Sequence, residues 1–193
     1  MNLSELGIKA RAASVLLAKM NVETKNKALV ACAEALVKDS NSILEANAKD
    51  VLIGREKGMN EGLVDRLMLT EERIKGIAEG LEQVAALDDP VGEVLDMKKR
   101  PNGLLIGKKR VPLGVVGMIY EARPNVTPDA FALCFKSGNA VILRGGSDAI
   151  NSNIAIVKVL QDTLKACGIT EDAVQLIEDT SHEVGTEFMK MNG

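Results

Sequence analysis

The stretch V-P-L-G-V-V-G-M-I-Y-E-A-R-P-N-V-T-P-D-A-F-A-L-C-F-K-S-G-N-A-V-I-L-R-G-G-S-D-A-I-N-S-N, Val111 to Asn153, sets the fold class. Its apolar run from Gly114 to Tyr120 ends in the polar knot Glu121-Ala122-Arg123-Pro124-Asn125. A second run, Ala140 to Leu143, ends in Arg144-Gly145-Gly146-Ser147-Asp148. Both runs are short and rich in Val and Ile, and one helical segment, at about Thr127 to Lys136, joins them. That pattern predicts adjacent parallel strands buried on both faces. Such open sheets bind ligands beyond the carboxyl ends of their strands, and each end here carries an arginine beside turn-forming and small polar residues.

Downstream, helical patterns at about Ala149 to Ala166 and Ser181 to Met191 flank a third strand at about Ala173 to Ile177. Thr180 and Glu183 stand at capping-box spacing, which starts the last helix there. The alternation predicts an α/β fold, a parallel sheet with right-handed crossovers. Asn192-Gly193 reads as a helix C-cap, and the fourth strand that the alternation calls for is missing, so an open sheet edge is expected.

Upstream, Val94 to Arg100 and Leu104 to Val111 alternate on either side of Pro101-Asn102-Gly103, a strong hairpin signal. Lys98-Lys99-Arg100 and Lys108-Lys109-Arg110 load the hairpin with charge; a solvated, aggregation-resistant edge is the plainer reading than phosphate or nucleic-acid contact. From Leu3 to about Leu87 apolar residues recur at three- and four-residue steps, as in Leu3, Leu6, Ala10, Ala13, Leu17 and Met20. Thr70 is placed to cap a helix running through Ile74, Ile77, Leu81, Val84 and Leu87, while Gly54, Gly58 and Gly62 break the pattern into shorter pieces. This part reads as a helical layer, with no catalytic constellation in it.

The 193 residues suffice for one sizeable core. A net charge of −3 and an aromatic content of 2%, without Trp, argue against a nucleic-acid partner. Cys32, Cys134 and Cys167 have no paired spacing, so neither a disulfide framework nor a metal site is expected, and a reducing cytoplasm fits. The charged N-terminus is not a signal peptide, and no apolar run approaches the roughly 20 residues that span a bilayer. No G-x-G-x-x-G is present, and Asn102 to Lys109 fails as a phosphate loop. His182 reads as a surface residue and Cys134 as a buried hydrophobe, which leaves no nucleophile or general base. In Arg144 to Asp148 the glycines would let backbone N–H groups approach an anion at the following helix start, with Arg144 as a charged fork. An ordinary turn with Ser147 or Asp148 as N-cap accounts for the same residues.

At V-P-L-G-V-V-G the chain resembles the aldehyde dehydrogenase superfamily. Through M-I-Y-E-A-R-P-N-V-T-P-D-A and V-I-L-R-G-G-S-D-A-I-N-S-N it is similar to one branch, the gamma-glutamyl phosphate reductase family, over essentially its whole length. The resemblance implies an NADPH-dependent reduction of L-glutamate 5-phosphate to the semialdehyde in proline biosynthesis, through a thioester on a cysteine that lies beyond Gly193. It places Asn125 at the oxyanion, although Pro128 comes one residue later than in the superfamily pattern, and it puts Arg123 near the substrate. Arg144, with Gly145, Gly146, Ser147 and Asp148, falls on the cofactor side. An arginine where the superfamily has a lysine, with Ser147 at the acid's place and Asp148 one residue on, suits the 2′-phosphate of NADP.

The resemblance divides the chain into a helical layer of the cofactor domain (1–90), a hairpin for homo-oligomerisation (91–112) and an incomplete Rossmann-like NADP-binding part (113–193), the catalytic domain being absent. The fragment alone would be inactive. Glutamate 5-kinase is the further partner implied. Two alternatives stay open: another acyl-reducing superfamily member, for instance one acting on an acyl-CoA, and a non-catalytic binding or assembly module.

Overall fold

The computed structural model describes residues 2–191; the expected C-cap at Asn192-Gly193 lies outside them. Five helices come first: α1 (Leu3–Leu17), α2 (Val22–Lys38), α3 (Ser40–Glu56), α4 (Glu61–Leu67) and α5 (Glu71–Ala86). Asparagines 2, 21 and 60 and Thr70 cap α1, α2, α4 and α5, each side chain accepting from an N–H of the first turn. Of the three glycines expected to break helices only Gly58 does so, at φ +77. Gly54 and Gly62 lie within α3 and α4. Gly54 is buried where a Cβ would come within 3.3 Å of Met59, so it admits a neighbour instead of ending a helix.

The hairpin follows as β1 (Val94–Lys99) and β2 (Leu105–Lys109), antiparallel, with Met97 opposite Gly107. Gly103, at φ +88, closes the turn by donating to the Arg100 carbonyl at 2.9 Å. Then come β3 (Val115–Ile119), α6 (Val126–Lys136), β4 (Ala140–Arg144), a 3₁₀ turn (Ser147–Ala149), α7 (Ile150–Ala166), β5 (Val174–Leu176) and α8 (His182–Met189). The three-stranded sheet has the order β3-β4-β5 and is parallel throughout, as the alternation predicts.

The last helix starts one residue later than expected. Ser181, not Thr180, is its N-cap and accepts from Val184 N at 3.4 Å. The expectation that the strands are buried on both faces holds for β4 and β5 but not for β3, whose residues are half-buried or exposed. β3 pairs on one side only, so its other edge and part of its surface are open. No helix among the described residues is long and apolar enough to cross a membrane.

Helices α6 and α7 cover one face of the sheet, and α2, α3 and α5 pack behind them. On the other face α1 crosses β4 and reaches β5, where Gln175 Nε2 donates to the Leu6 carbonyl at 3.2 Å, and Phe188 of α8 covers Gly117. One apolar core runs through both layers, from Leu29 and Leu81 to Phe131, Leu143 and Leu160.

Polar groups inside this core join the layers. Asp50 of α3 is 2% exposed, yet its carboxylate meets four donors from the start of α7. These are Asn151 N (3.2 Å), Asn151 Nδ2 (2.7 Å), Ser152 N (2.8 Å) and Ser152 Oγ (2.6 Å). One turn earlier, Asn47 donates to the Leu67 carbonyl and accepts from Leu69 N, both at 2.8 Å, and so fixes the α4–α5 connection. Buried Lys25 of α2 pairs with Asp89 and donates to the Lys136 carbonyl, while Lys136 Nζ reaches Asn26 and the Ala85 carbonyl.

Asp50→Ala removes the acceptor from two orphan backbone N–H groups and two side chains. Urea unfolding should then show a loss of about 2–4 kcal/mol, with Asp50→Asn recovering part of it. A loss within about 0.5 kcal/mol, typical of a surface change, would show that the carboxylate is dispensable.

Candidate functional site

Register brings the two strand ends side by side. Ile119 lies opposite Arg144, and Tyr120 N donates to the Arg144 carbonyl at 3.1 Å. The 121–125 and 144–148 loops therefore leave the sheet together and touch. A Cβ on Gly146 would come within 3.4 Å of the Glu121–Ala122 backbone. A Cβ on Gly145 would meet Asn153 Nδ2 at 2.3 Å and the Tyr120 ring at 3.3 Å. Gly145 is therefore required by the closeness of the Asn153 side chain, whereas at Gly146 a Cβ would only just touch the neighbouring backbone.

Beneath the loops lies a buried chain of hydrogen bonds. Tyr120 Oη and Thr127 Oγ1 are 2.6 Å apart, and Thr127 Oγ1 donates to Asn153 Oδ1 at 2.8 Å. Burial pushes the Tyr120 hydroxyl above its usual range, with the Thr127 contact opposing. Asn153 Nδ2, fully buried against Gly145, has no hydrogen-bond partner among the described residues.

Each residue singled out in the sequence has a definite place. The half-buried Arg144 donates one terminal nitrogen to the carbonyls of Thr180 (2.8 Å) and Ser181 (3.1 Å), and its Nε is buried without a partner. Its guanidinium packs at 3.4 Å from where a Cβ of Gly185 would stand, so it is held between β4 and the start of α8. Ser147 is exposed and begins the 3₁₀ turn, whereas Asp148 faces Lys57 at 3.9 Å. Neither caps a helix; the first N–H groups of α7 are held by Asp50 instead. Asp179, exposed, is lowered below the usual carboxylate range by the backbone N–H of Ser181, with Arg144 adding a smaller attraction.

Arg123 and Asn125 lie on the opposite side of the β3–α6 loop, in an open groove of about 530 Å³. The groove is completed by Arg66 of α4, Met68 of the connection after it, Arg73 of α5 and Asp129 of α6. Arg66, Arg73 and Asp129 gave no signal in the sequence, because what joins them is the docking of the α4–α5 connection against α6. Asn125 begins α6 without capping it through its side chain. Burial raises the Asp129 carboxyl above its usual range, and the nearby Asn125 side chain partly offsets this.

His182 is exposed at the first turn of α8. Cys32 and Cys134 are buried, and burial pushes their thiols up to about 12 and about 11, so neither is poised as a thiolate. Among the described residues no cluster of metal-ligating side chains occurs.

No protein-family model matches the chain. It is 58% identical over 185 residues to a gamma-glutamyl phosphate reductase from Caldanaerobacter subterraneus subsp. tengcongensis, covering 96% of this chain and 45% of that protein. A protein of the same name from Lachnospira eligens is 56% identical over 191 residues, with 99% and 46% covered. The crystal structure of gamma-glutamyl phosphate reductase from Thermotoga maritima matches with a TM-score of 0.96 at 45% identity, over 99% of this chain and 46% of that one. A probable aldehyde dehydrogenase from Listeria monocytogenes shares the fold, with a TM-score of 0.75 at 15% identity over 98% of this chain and 39% of that one. The chain spans about half the length of the curated relatives it matches.

The contact between Gly145 and Asn153 yields a double-mutant test. Gly145→Ala should destabilise the fold by about 1–3 kcal/mol through overpacking, and combining it with Asn153→Ala should give a loss smaller than the sum of the two. Additive losses in thermal or urea unfolding would mean that the added methyl group is accommodated elsewhere.

Proposed function

We propose that this chain is the N-terminal portion of a gamma-glutamyl phosphate reductase of the aldehyde dehydrogenase superfamily, whose complete protein reduces L-glutamate 5-phosphate with NADPH. The reading is carried by identity above half of the aligned positions along nearly the whole chain. In this reading residues 1–90 form a helical layer of the cofactor domain, 91–112 an oligomerisation hairpin and 113–193 the first part of the cofactor fold. The reaction belongs to the complete cytoplasmic enzyme, with glutamate 5-kinase, which forms the acyl phosphate, as its upstream partner.

The groups that would hold NADPH are Arg144 and the 145–148 turn at the carboxyl edge of the sheet. The residues fit: Arg144 is half-buried and held in place through one terminal nitrogen by two carbonyls, and Ser147 is open to solvent. The cofactor, when bound, supplies the hydride. Arg144 contributes a fixed positive charge toward an anionic group such as a 2′-phosphate, and Asn125 contributes an amide donor toward developing charge on the acyl oxygen. The start of α7 contributes nothing to an anion, since Asp50 already occupies it.

Every residue of both hairpin strands is exposed, including Leu95, Met97, Leu105 and Ile106. A two-stranded ribbon is marginal in water unless its apolar side chains are covered, which favours a homo-oligomer joined here.

The chain joined to its downstream sequence should oxidise glutamate 5-semialdehyde with NADP when phosphate is present; a folded but inactive enzyme would refute the reading. In that enzyme Arg144→Ala should weaken NADPH by about 2–4 kcal/mol and NADH much less. Equal losses for both would leave Arg144 as only a clamp on Thr180 and Ser181. Excising Lys99 to Lys109 should give a smaller species by sedimentation, and an unchanged mass would exclude the hairpin from assembly.

A further inference from the structure

The groove beside Asn125 has an unusual balance of charge. Arg73 is already committed: it donates to the carbonyls of Asp65 and Met68, and through its second terminal nitrogen to Asp65 Oδ1 at 2.8 Å. Arg73 and Asp65 therefore neutralise one another. That leaves Arg66, Arg123 and Asp129 facing the same space, and among the described residues none of the three has an ion-pair partner within 4.0 Å. Asp129 is half-buried on the first turn of α6, with Oδ1 3.8 Å from where a Cβ of Gly80 would stand. A carboxylate partly removed from water gains most from a cation, and two unpaired guanidinium groups gain most from a carboxylate. A ligand bearing an ammonium and a carboxylate on one carbon supplies both.

The arginine loop is also held in place. Asn47 fixes Leu67 and Leu69 on either side of Met68, and the two carbonyl contacts of Arg73 tie down the same connection.

We infer that this groove takes the α-amino-carboxylate end of the substrate, Asp129 meeting the ammonium and Arg66 and Arg123 the carboxylate, with Asn125 at the reacting end. The inference rests on the reading of the chain as part of a glutamyl phosphate reductase. On that reading these three residues set specificity without entering the chemistry, and they discriminate an amino acid from a simple aldehyde.

The test uses the complete enzyme in the oxidative direction, with NADP and phosphate, on three aldehydes. These are L-glutamate 5-semialdehyde, 5-oxopentanoate, which lacks the amino group, and butanal, which lacks both groups. Asp129→Asn should raise KM for the semialdehyde by about tenfold or more, leave kcat within about threefold and leave KM for 5-oxopentanoate unchanged. Asp129→Glu should restore part of the preference. Arg66→Gln and Arg123→Gln should raise KM for both carboxylates by about tenfold and leave butanal unaffected. Equal effects of Asp129→Asn on the semialdehyde and on 5-oxopentanoate would overturn the ammonium site. Unchanged KM for both carboxylates in the arginine variants would overturn the carboxylate site. If the unsubstituted enzyme oxidises no aldehyde of the three, the family reading itself fails and the groove assignment falls with it. An active parent with indifferent variants sinks the groove assignment alone.

Discussion

A single buried carboxylate, Asp50, holds the two layers of this structure in register. It has no cationic side chain beside it; its charge is met by the first N–H groups of α7 and the side chains of Asn151 and Ser152. A helix N-terminus favours negative charge, so the ion is tolerated where an unpaired one would be expelled. Asn47, one turn earlier on α3, bonds Ser152 Oγ at 3.0 Å and extends the same network to the α4–α5 connection. The helical layer thereby fixes both the helix behind the 144–148 loop and the arginine-bearing side of the groove.

The approach of the two strand-end loops is the second constraint. Parallel strands in register must deliver their following loops to the same edge, and here the loops are separated by little more than backbone. Gly146 lies against the Glu121–Ala122 backbone, and Gly145 leaves the space that Asn153 occupies, with the Tyr120–Thr127–Asn153 chain below.

Away from these constraints the surface is less complete. The hairpin exposes both of its faces, and β3 leaves one edge without a partner, beside the exposed Ile8 of α1 and Ile119 of β3. Exposed apolar side chains therefore gather along the hairpin and beside the open edge of β3.

The sequence by itself determined which segments are helix and strand, because apolar period and turn chemistry are local. The α5 cap at Thr70, the Gly103 turn and the parallel order of three strands were all legible in that way. The resemblance was legible too, since it rests on two local blocks of sequence, at the carboxyl ends of β3 and β4, and the chain is 58% identical to a gamma-glutamyl phosphate reductase over 185 residues. What the tertiary structure alone decided are the relations between distant residues: Asp50 at the start of α7 more than a hundred positions away, Lys25 at Asp89, and Arg66 facing Asp129 across the groove. Local signals misled where tertiary contacts won. Ser181 displaced Thr180 as the cap because it is the residue whose hydroxyl reaches the N–H of Val184. Gly54 stayed helical because Met59 packs against it, and β3 proved half-open because only one neighbouring strand is there to cover it. Periodicity reports the intrinsic preference of a segment, whereas burial and pairing depend on what the rest of the chain brings alongside.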